Sequence, residues 1–450
     1  LVDLSCLLVI TEFLALDVTE FQNGWSAVRI SDPTLRDVDV QERHEDFSNL
    51  KSTQTPHYDL DEVQSVRNGL KLSTKLLMGD AQTWGPNRSL KLSCHAAEVG
   101  LLLALAGQTS EVVNAGLLHQ AQFDANNQIA FDIERKMGSD TFNLCRKSKE
   151  FLITSTRDVS QLSECQEVNA AATIHCAVTV ASLGAGFVTL NPLEVRDLSE
   201  KYIQCGVPPM IRDQFTLETD LSLPVDNNIY GSNHLTAEDV VTIRNSFRFA
   251  AWLFANVDRG WGPLEKLPLT SHAAEVGTIL ALGRASRDLI IAGFLHDSLE
   301  RYVKVETNHI RDILFNAFGD RVLRLVEGVT EPIKTDLPGN WLDRKLSILS
   351  HVENGDVDLA TLCCATKIST IAAGNKWLWT QGGEIKGWSS GSLEDNIVVF
   401  ERLRDVFVRK GVAEIFISQY DSELSRFKAS RDATYLSQLK SNKRHPSQIS

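Results

Sequence analysis

His296-Asp297 is a dipeptide able to bind a metal ion, and His272 stands 24 residues before it (296 − 272 = 24). Two imidazoles and a carboxylate brought together from separate helices suit Mn, Fe, Zn or Mg. Such a set leaves positions open for water and phosphate oxygens. Glu300 follows at i+4 from His296 and i+3 from Asp297, the spacing of one helix face. It either belongs to the same site or pairs with the nearby Lys304. Arg259, Lys266 and Lys367 are candidate phosphate partners among charges that otherwise face solvent.

The same words occur earlier in the chain. Trp84-Gly85-Pro86 recurs as Trp261-Gly262-Pro263, and His95-Ala96-Ala97-Glu98-Val99-Gly100 as His272-Ala273-Ala274-Glu275-Val276-Gly277. His119 recurs as His296, again at an offset of 177 (296 − 119 = 177). Between 84–120 and 261–297, 18 of 37 positions are identical without a gap. Composition alone gives roughly one match in fifteen, so a duplication is expected. Gln120 stands where Asp297 stands. His95 and His119 therefore read as core histidines without a metal. Glu98 and Glu275, kept in both copies, suit a structural role beside the site, and Trp84 and Trp261 an anchoring one.

The elements that must hold these residues are helical. Ala273 to Gly283 and Asp288 to Glu300 are Ala- and Leu-rich without an internal Pro. Val322, Leu325, Val326 and Val329 share one helix face. Period-two alternation is nearly absent, so an all-α protein of two pseudo-repeated helical bundles packed together is expected. The divisions are an N-terminal extension at 1–60, copy one at 61–205, a linker at 206–234 rich in turn formers, copy two at 235–425, and a disordered polar tail at 426–450.

At 450 residues the chain suits two or three domains. A net charge of −13 disfavours a nucleic-acid partner. The eight cysteines form no C-x-x-C pair and mostly sit in apolar runs, as reduced buried thiols do. Leu1 to Leu16 carries Asp3 and Glu12 and lacks a basic start, unlike a signal peptide. No uncharged apolar run reaches eighteen residues, so no membrane partner is expected. The expected compartment is the cytoplasm, and a homo-oligomer is compatible with the composition.

Copy two resembles the hydrolase domain of the RelA/SpoT family, within the HD phosphohydrolase superfamily. Ala251 to Gly260 resembles its opening helix and Ser271-His272 its first histidine ligand. The run from Gly293 to Glu300 resembles its "LLHDTVED" segment, and Phe318 to Thr330 with Lys334 its "FG..V..LV.GVTK" segment. Arg344-Lys345 and Asp356-Val357 fit a further segment, so the resemblance covers about 250–375. Arg301 stands where the family has an acidic residue after Glu300. Thr366 stands at the place of its last aspartate ligand, opposite Val178 of copy one. Asp356 and Asp358 are candidate substitutes for that carboxylate, or caps of the following helix.

The resemblance implies a divalent metal, Mn or Mg first, on His272, His296 and Asp297. It implies Glu300 as the catalytic carboxylate. Arg259, Thr366 and Lys367 are the expected substrate-binding residues. The expected function is a metal-dependent phosphohydrolase acting on a small diphosphate-bearing substrate, with copy one an inert buttress. One alternative is a lyase that ionises an allylic diphosphate, as a terpene cyclase does. The other is an inert HD-fold pseudoenzyme with a regulatory or scaffold role.

Overall fold

The computed structural model describes residues 58–77, 83–84, 90–121, 128–154, 166–185, 188, 190–219, 235–255, 257, 268–300, 307–331, 341–380, 389 and 391–442. Among these the chain is all-helical except for one antiparallel pair of two-residue strands, β1 (Thr83–Trp84) and β2 (Leu90–Lys91). The first helices are α1 (Leu60–Leu77), α2 (Leu92–Leu105), α3 (Ser110–Leu118), α4 (Gln128–Met137), α5 (Ser139–Thr154), α6 (Gln166–Gly184), α7 (Pro192–Gln204) and α8 (Pro209–Glu218). There follow α9 (Ala237–Leu253), α10 (Leu269–Leu282), α11 (Arg287–Leu295), α12 (Thr307–Phe318), α13 (Asp320–Val329), α14 (Trp341–Asn354), α15 (Val357–Thr380), α16 (Leu393–Lys410) and α17 (Glu414–Asn442). The starts of α9, α10 and α11 repeat those of α1, α2 and α3 at the offset of the repeated words (237 − 60 = 269 − 92 = 287 − 110 = 177).

Local chemistry sets these elements. Thr236 and Asp239 form a capping box that starts α9. In α10, Gly277 lies under Phe294 of α11. A Cβ built there would fall 2.1 Å from the ring, so only glycine allows this crossing. Gly100 and Leu117 repeat the arrangement between α2 and α3, with 2.4 Å for the corresponding Cβ. The small residues of both His-Ala-Ala-Glu-Val-Gly words thus serve close helix packing. Val322, Leu325 and Val326 of α13 are buried as their spacing requires. One hydrophobic core runs from Tyr58 to Phe427 and draws on both parts of the chain.

Helix α15 is the longest apolar element. Its length and composition would allow it to cross a membrane, but 61% of that stretch is buried inside the molecule, against α10, α11 and α17. Cys94, Cys145, Cys176, Cys205, Cys363 and Cys364 are free and buried.

Three boundaries differ from the sequence reading. Residues 209–218, expected as linker, form α8 with Met210, Ile211 and Phe215 buried; Pro209 is at the helix start, where a missing N–H costs nothing. The expected disordered tail is helical through Asn442, and Phe427 within it is buried. The expected helix Asp288 to Glu300 stops at Leu295. There His296 Nδ1 lies 2.8 Å from the Gly293 carbonyl, the acceptor that the next helical N–H would need. The extension 1–57, most of the linker after 219, and the side chains of Trp84 and Trp261 lie outside the described residues.

Candidate metal centre

His272 stands on α10, and His296 and Asp297 follow the end of α11 in a tight turn. Both histidines are buried, and Asp297 is partly so. Among the described residues these three form the group whose ligand atoms converge, all within 4.8 Å of one another. His272 Nε2 and His296 Nε2 are 3.1 Å apart. Asp297 Oδ1 is 3.3 Å from His296 Nε2, and Oδ2 is 3.8 Å from His272 Nε2.

Hydrogen bonds fix where the ring protons lie. The Gly293 carbonyl can only accept, so His296 donates from Nδ1. His272 Nδ1 meets Ser369 Oγ of α15 at 2.8 Å, and that hydroxyl meets Glu275 Oε2 at 2.7 Å. Burial alone would raise the Glu275 carboxyl, but Lys71, Arg67 and the Ser369 hydroxyl outweigh it and hold it down to about 2. As an ionised carboxylate it takes the serine proton. The serine oxygen must then accept from His272 Nδ1. Both rings therefore carry a proton on Nδ1 and turn Nε2 toward each other. At 3.1 Å the two nitrogens, with the Asp297 carboxylate, converge on a point that one cation, a proton or a metal ion, can share. Two ligand atoms about 2.1 Å from one ion at a right angle lie about 3 Å apart, so the residues fit a divalent ion.

Glu300 is reached through the turn, not along a helix face as the i+4 spacing predicted, because α11 has already ended. Burial, and then the negative charge of Asp297, push its carboxyl up to about 7. The Glu331 amide donates to Glu300 Oε1 at 3.1 Å and opposes that shift. Glu331 itself is ion-paired with Lys345, and Lys345 and Lys367 overcome the effect of burial to hold it below the usual carboxylate range. A run of acidic groups, Asp297, Glu300 and Glu331, thus passes into the cations Lys345 and Lys367. Sequence reading named Lys367 but not Glu331 or Lys345 of this run.

Thr366 is buried on α15, with its hydroxyl given to the Cys363 carbonyl at 2.8 Å. Asp356 and Asp358 pair with Arg321, and Asp356 caps α15 by accepting from the Leu359 amide at 2.9 Å. They cap the helix and do not replace the missing carboxylate. Arg259 and Lys266 lie outside the described residues.

In the first part of the chain His119 Nδ1 likewise meets the Gly116 carbonyl, at 2.6 Å, and His95 Nε2 meets Ser182 at 3.0 Å. The serines facing the two first histidines are Ser182 and Ser369. Their offset (369 − 182 = 366 − 179 = 187) sets Thr179 rather than Val178 against Thr366.

Comparison with protein families adds one finding. The HD domain family matches residues 248–337. The match spans His272, His296, Asp297 and Glu300 and supports an HD-superfamily domain in that stretch. Such domains are typically metal-dependent hydrolases, and the His-His-Asp group agrees with a divalent metal. Comparison with curated proteins gives no match.

Ser369, Glu275 and their cationic partners were missed as a set by sequence reading. Arg67 Nε donates to Glu275 Oε1 at 3.0 Å across 208 residues, and Lys71 Nζ lies 3.0 Å from the same oxygen. Arg67 also meets Glu423 at 2.9 Å. A reciprocal set joins Arg244 to Glu98 at 2.9 Å and to Glu218 at 2.8 Å, with Arg248 on both oxygens of Glu98 at 3.1 and 2.7 Å. Arg244, Arg248 and Glu275 stand at the repeat offset from Arg67, Lys71 and Glu98 (244 − 67 = 248 − 71 = 275 − 98 = 177). The offset of the charged pairs was the available signal.

Proposed function

We propose that the protein is a metal-dependent phosphohydrolase acting on a small diphosphate-bearing substrate, with its site at His272, His296, Asp297 and Glu300. The observation that carries this is the pair of Nε2 atoms facing each other at 3.1 Å beside a carboxylate. His272, His296 and Asp297 would hold the ion, with Mn or Mg the first candidates. When bound, a divalent ion supplies Lewis acidity to phosphate oxygens and to water. Glu300, poised near neutrality, can take a proton from the attacking water and return it to the leaving phosphate oxygen. Lys345 of α14 and Lys367 of α15, with Thr366 next to it, would bind phosphate.

In this reading the chain is a duplicated HD-like domain of RelA/SpoT type. The common offset of three helices and of the crossed ion pairs supports the duplication. The first copy, with Gln120 in place of the aspartate, serves as the buttress. The lyase reading needs an apolar, water-poor wall for an allylic chain. The charged band of Glu300, Glu331, Lys345 and Lys367 favours hydrolysis instead.

The test is release of phosphate or diphosphate from guanosine polyphosphates, other nucleotides and prenyl diphosphates, with Mn²⁺ or Mg²⁺. Hydrolysis of a polar member of the panel, lost in Asp297→Asn, is expected. Product from prenyl diphosphates alone would move the assignment to the lyase. No turnover together with no metal binding would leave a pseudoenzyme.

A further inference from the structure

The two crossed ion-pair sets differ at one position. Lys71 in α1 presents a single charge to Glu275 Oε1, at 3.0 Å, and leaves Oε2 turned to Ser369. Its counterpart Arg248 in α9 spans Glu98, with Nε on Oε2 at 3.1 Å and Nη2 on Oε1 at 2.7 Å. A guanidinium fork can span both oxygens of a carboxylate, as Arg248 does, whereas an ammonium takes one. Arg67 sets Nε and Nη2 on Oε1, and Lys71 adds a single charge to the same oxygen, so Oε2 stays available to the hydroxyl that orients His272.

We propose that Arg67 and Lys71 act through Glu275 and Ser369 as positioning residues that keep the His272 proton on Nδ1. The first part of the chain thereby holds the metal-ligand nitrogen of the second part in its binding form. This rests on the metal reading of His272, His296 and Asp297. The chain of contacts is continuous: Arg67 and Lys71 to Oε1, Oε2 to Ser369, and Ser369 to His272 Nδ1 at 2.8 Å. Partners on the far nitrogen of a ligating histidine typically change metal affinity ~10–100-fold when removed. Converting Glu275 to an amide gives Ser369 an N–H donor, which lets the serine proton turn to His272 and moves the ring proton to Nε2.

The experiment uses the full chain with ¹⁵N-labelled histidine. Imidazole ¹H–¹⁵N spectra of the metal-free protein report the tautomer, and calorimetry with Mn²⁺ reports affinity. In the wild type His272 is expected as Nδ1–H. Glu275→Gln should move the proton to Nε2 and weaken Mn²⁺ binding ~10–100-fold. Lys71→Arg keeps the charge but captures both oxygens, and should shift both readouts in the same direction. Arg248→Lys, the mirror change, should leave the His272 tautomer unaltered and Mn²⁺ affinity within about twofold. If Glu275→Gln does not fold, Lys71→Arg against Arg248→Lys decides. An unchanged tautomer in Lys71→Arg, or equal losses in Lys71→Arg and Arg248→Lys, would overturn the relay. A wild type that binds no Mn²⁺ would instead overturn the metal reading, while the tautomer comparison still judges the relay.

Discussion

His272 Nε2 and His296 Nε2 lie 3.1 Å apart, and each ring spends its other nitrogen as a donor, to Ser369 and to the Gly293 carbonyl. With Asp297 these nitrogens converge on one point of the folded chain, so metal binding should stabilise the fold. Mn²⁺ at about 100 times its dissociation constant should add about 2.7 kcal/mol. Thermal melts with and without Mn²⁺ measure this, and His296→Ala should melt at the same temperature in both. A rise of equal size in that variant would place the ion elsewhere.

Glu300 makes the metal-free protein sensitive to pH. Its carboxyl is raised to about 7 by burial and by Asp297, above the ordinary 4.5. A raised carboxyl is most favourable when protonated. Its contribution is fully present below 4.5 and is lost as pH rises through 7, by up to about 3 kcal/mol. Glu300→Gln stays neutral and should flatten this part of the curve. Urea unfolding at pH 5 and pH 8 checks the difference. A wild-type profile that falls just as steeply in the variant would assign the loss to another group.

Thr366 lies one turn before Ser369 on α15 and is buried there. Thr366→Asp would add a carboxylate on the helix that supplies the His272 partner. Without metal it should destabilise by roughly 1–3 kcal/mol, since a buried charge lacks a partner. With Mn²⁺ the deficit should shrink and the affinity should rise. Equal destabilisation with and without the ion would show that the side chain points away from it.

Arg284 has φ 56°, while Gly107, at the repeat offset before it (284 − 107 = 177), has φ 68°. The left-handed conformation costs a residue with a Cβ roughly 1–2 kcal/mol. Arg284→Gly should therefore raise stability by about 1 kcal/mol, and Gly107→Ala should lower it by a similar amount. Urea midpoints decide the sign; a loss in Arg284→Gly would mean that its side chain contributes more than the strain costs.

Much of the site was legible because its signal is local. His296 and Asp297 are adjacent, and His272 carries the same neighbours as His95. The helices α10 and α13 follow from their apolar spacing. The partners that orient the ligands were not legible, because Ser369 lies 97 residues from His272 and Arg67 208 from Glu275. No periodicity spans such distances. The early end of α11 depends on a side chain taking a backbone carbonyl, a competition that composition does not encode. At α8, two prolines read as a connector although the second occupies the position where a helix tolerates proline.

The crossed pairs Arg67–Glu275 and Arg244–Glu98 have the form of a two-fold interface, in which each side gives what it receives. Between separate subunits such an interface is governed by a dissociation constant and weakens on dilution. Here the connection from 219 to 235 joins both sides covalently, and an effective concentration takes the place of the dissociation constant. Docking of the two parts is then unimolecular. The melting temperature should not depend on how much protein is in the tube, and both parts should unfold in one transition.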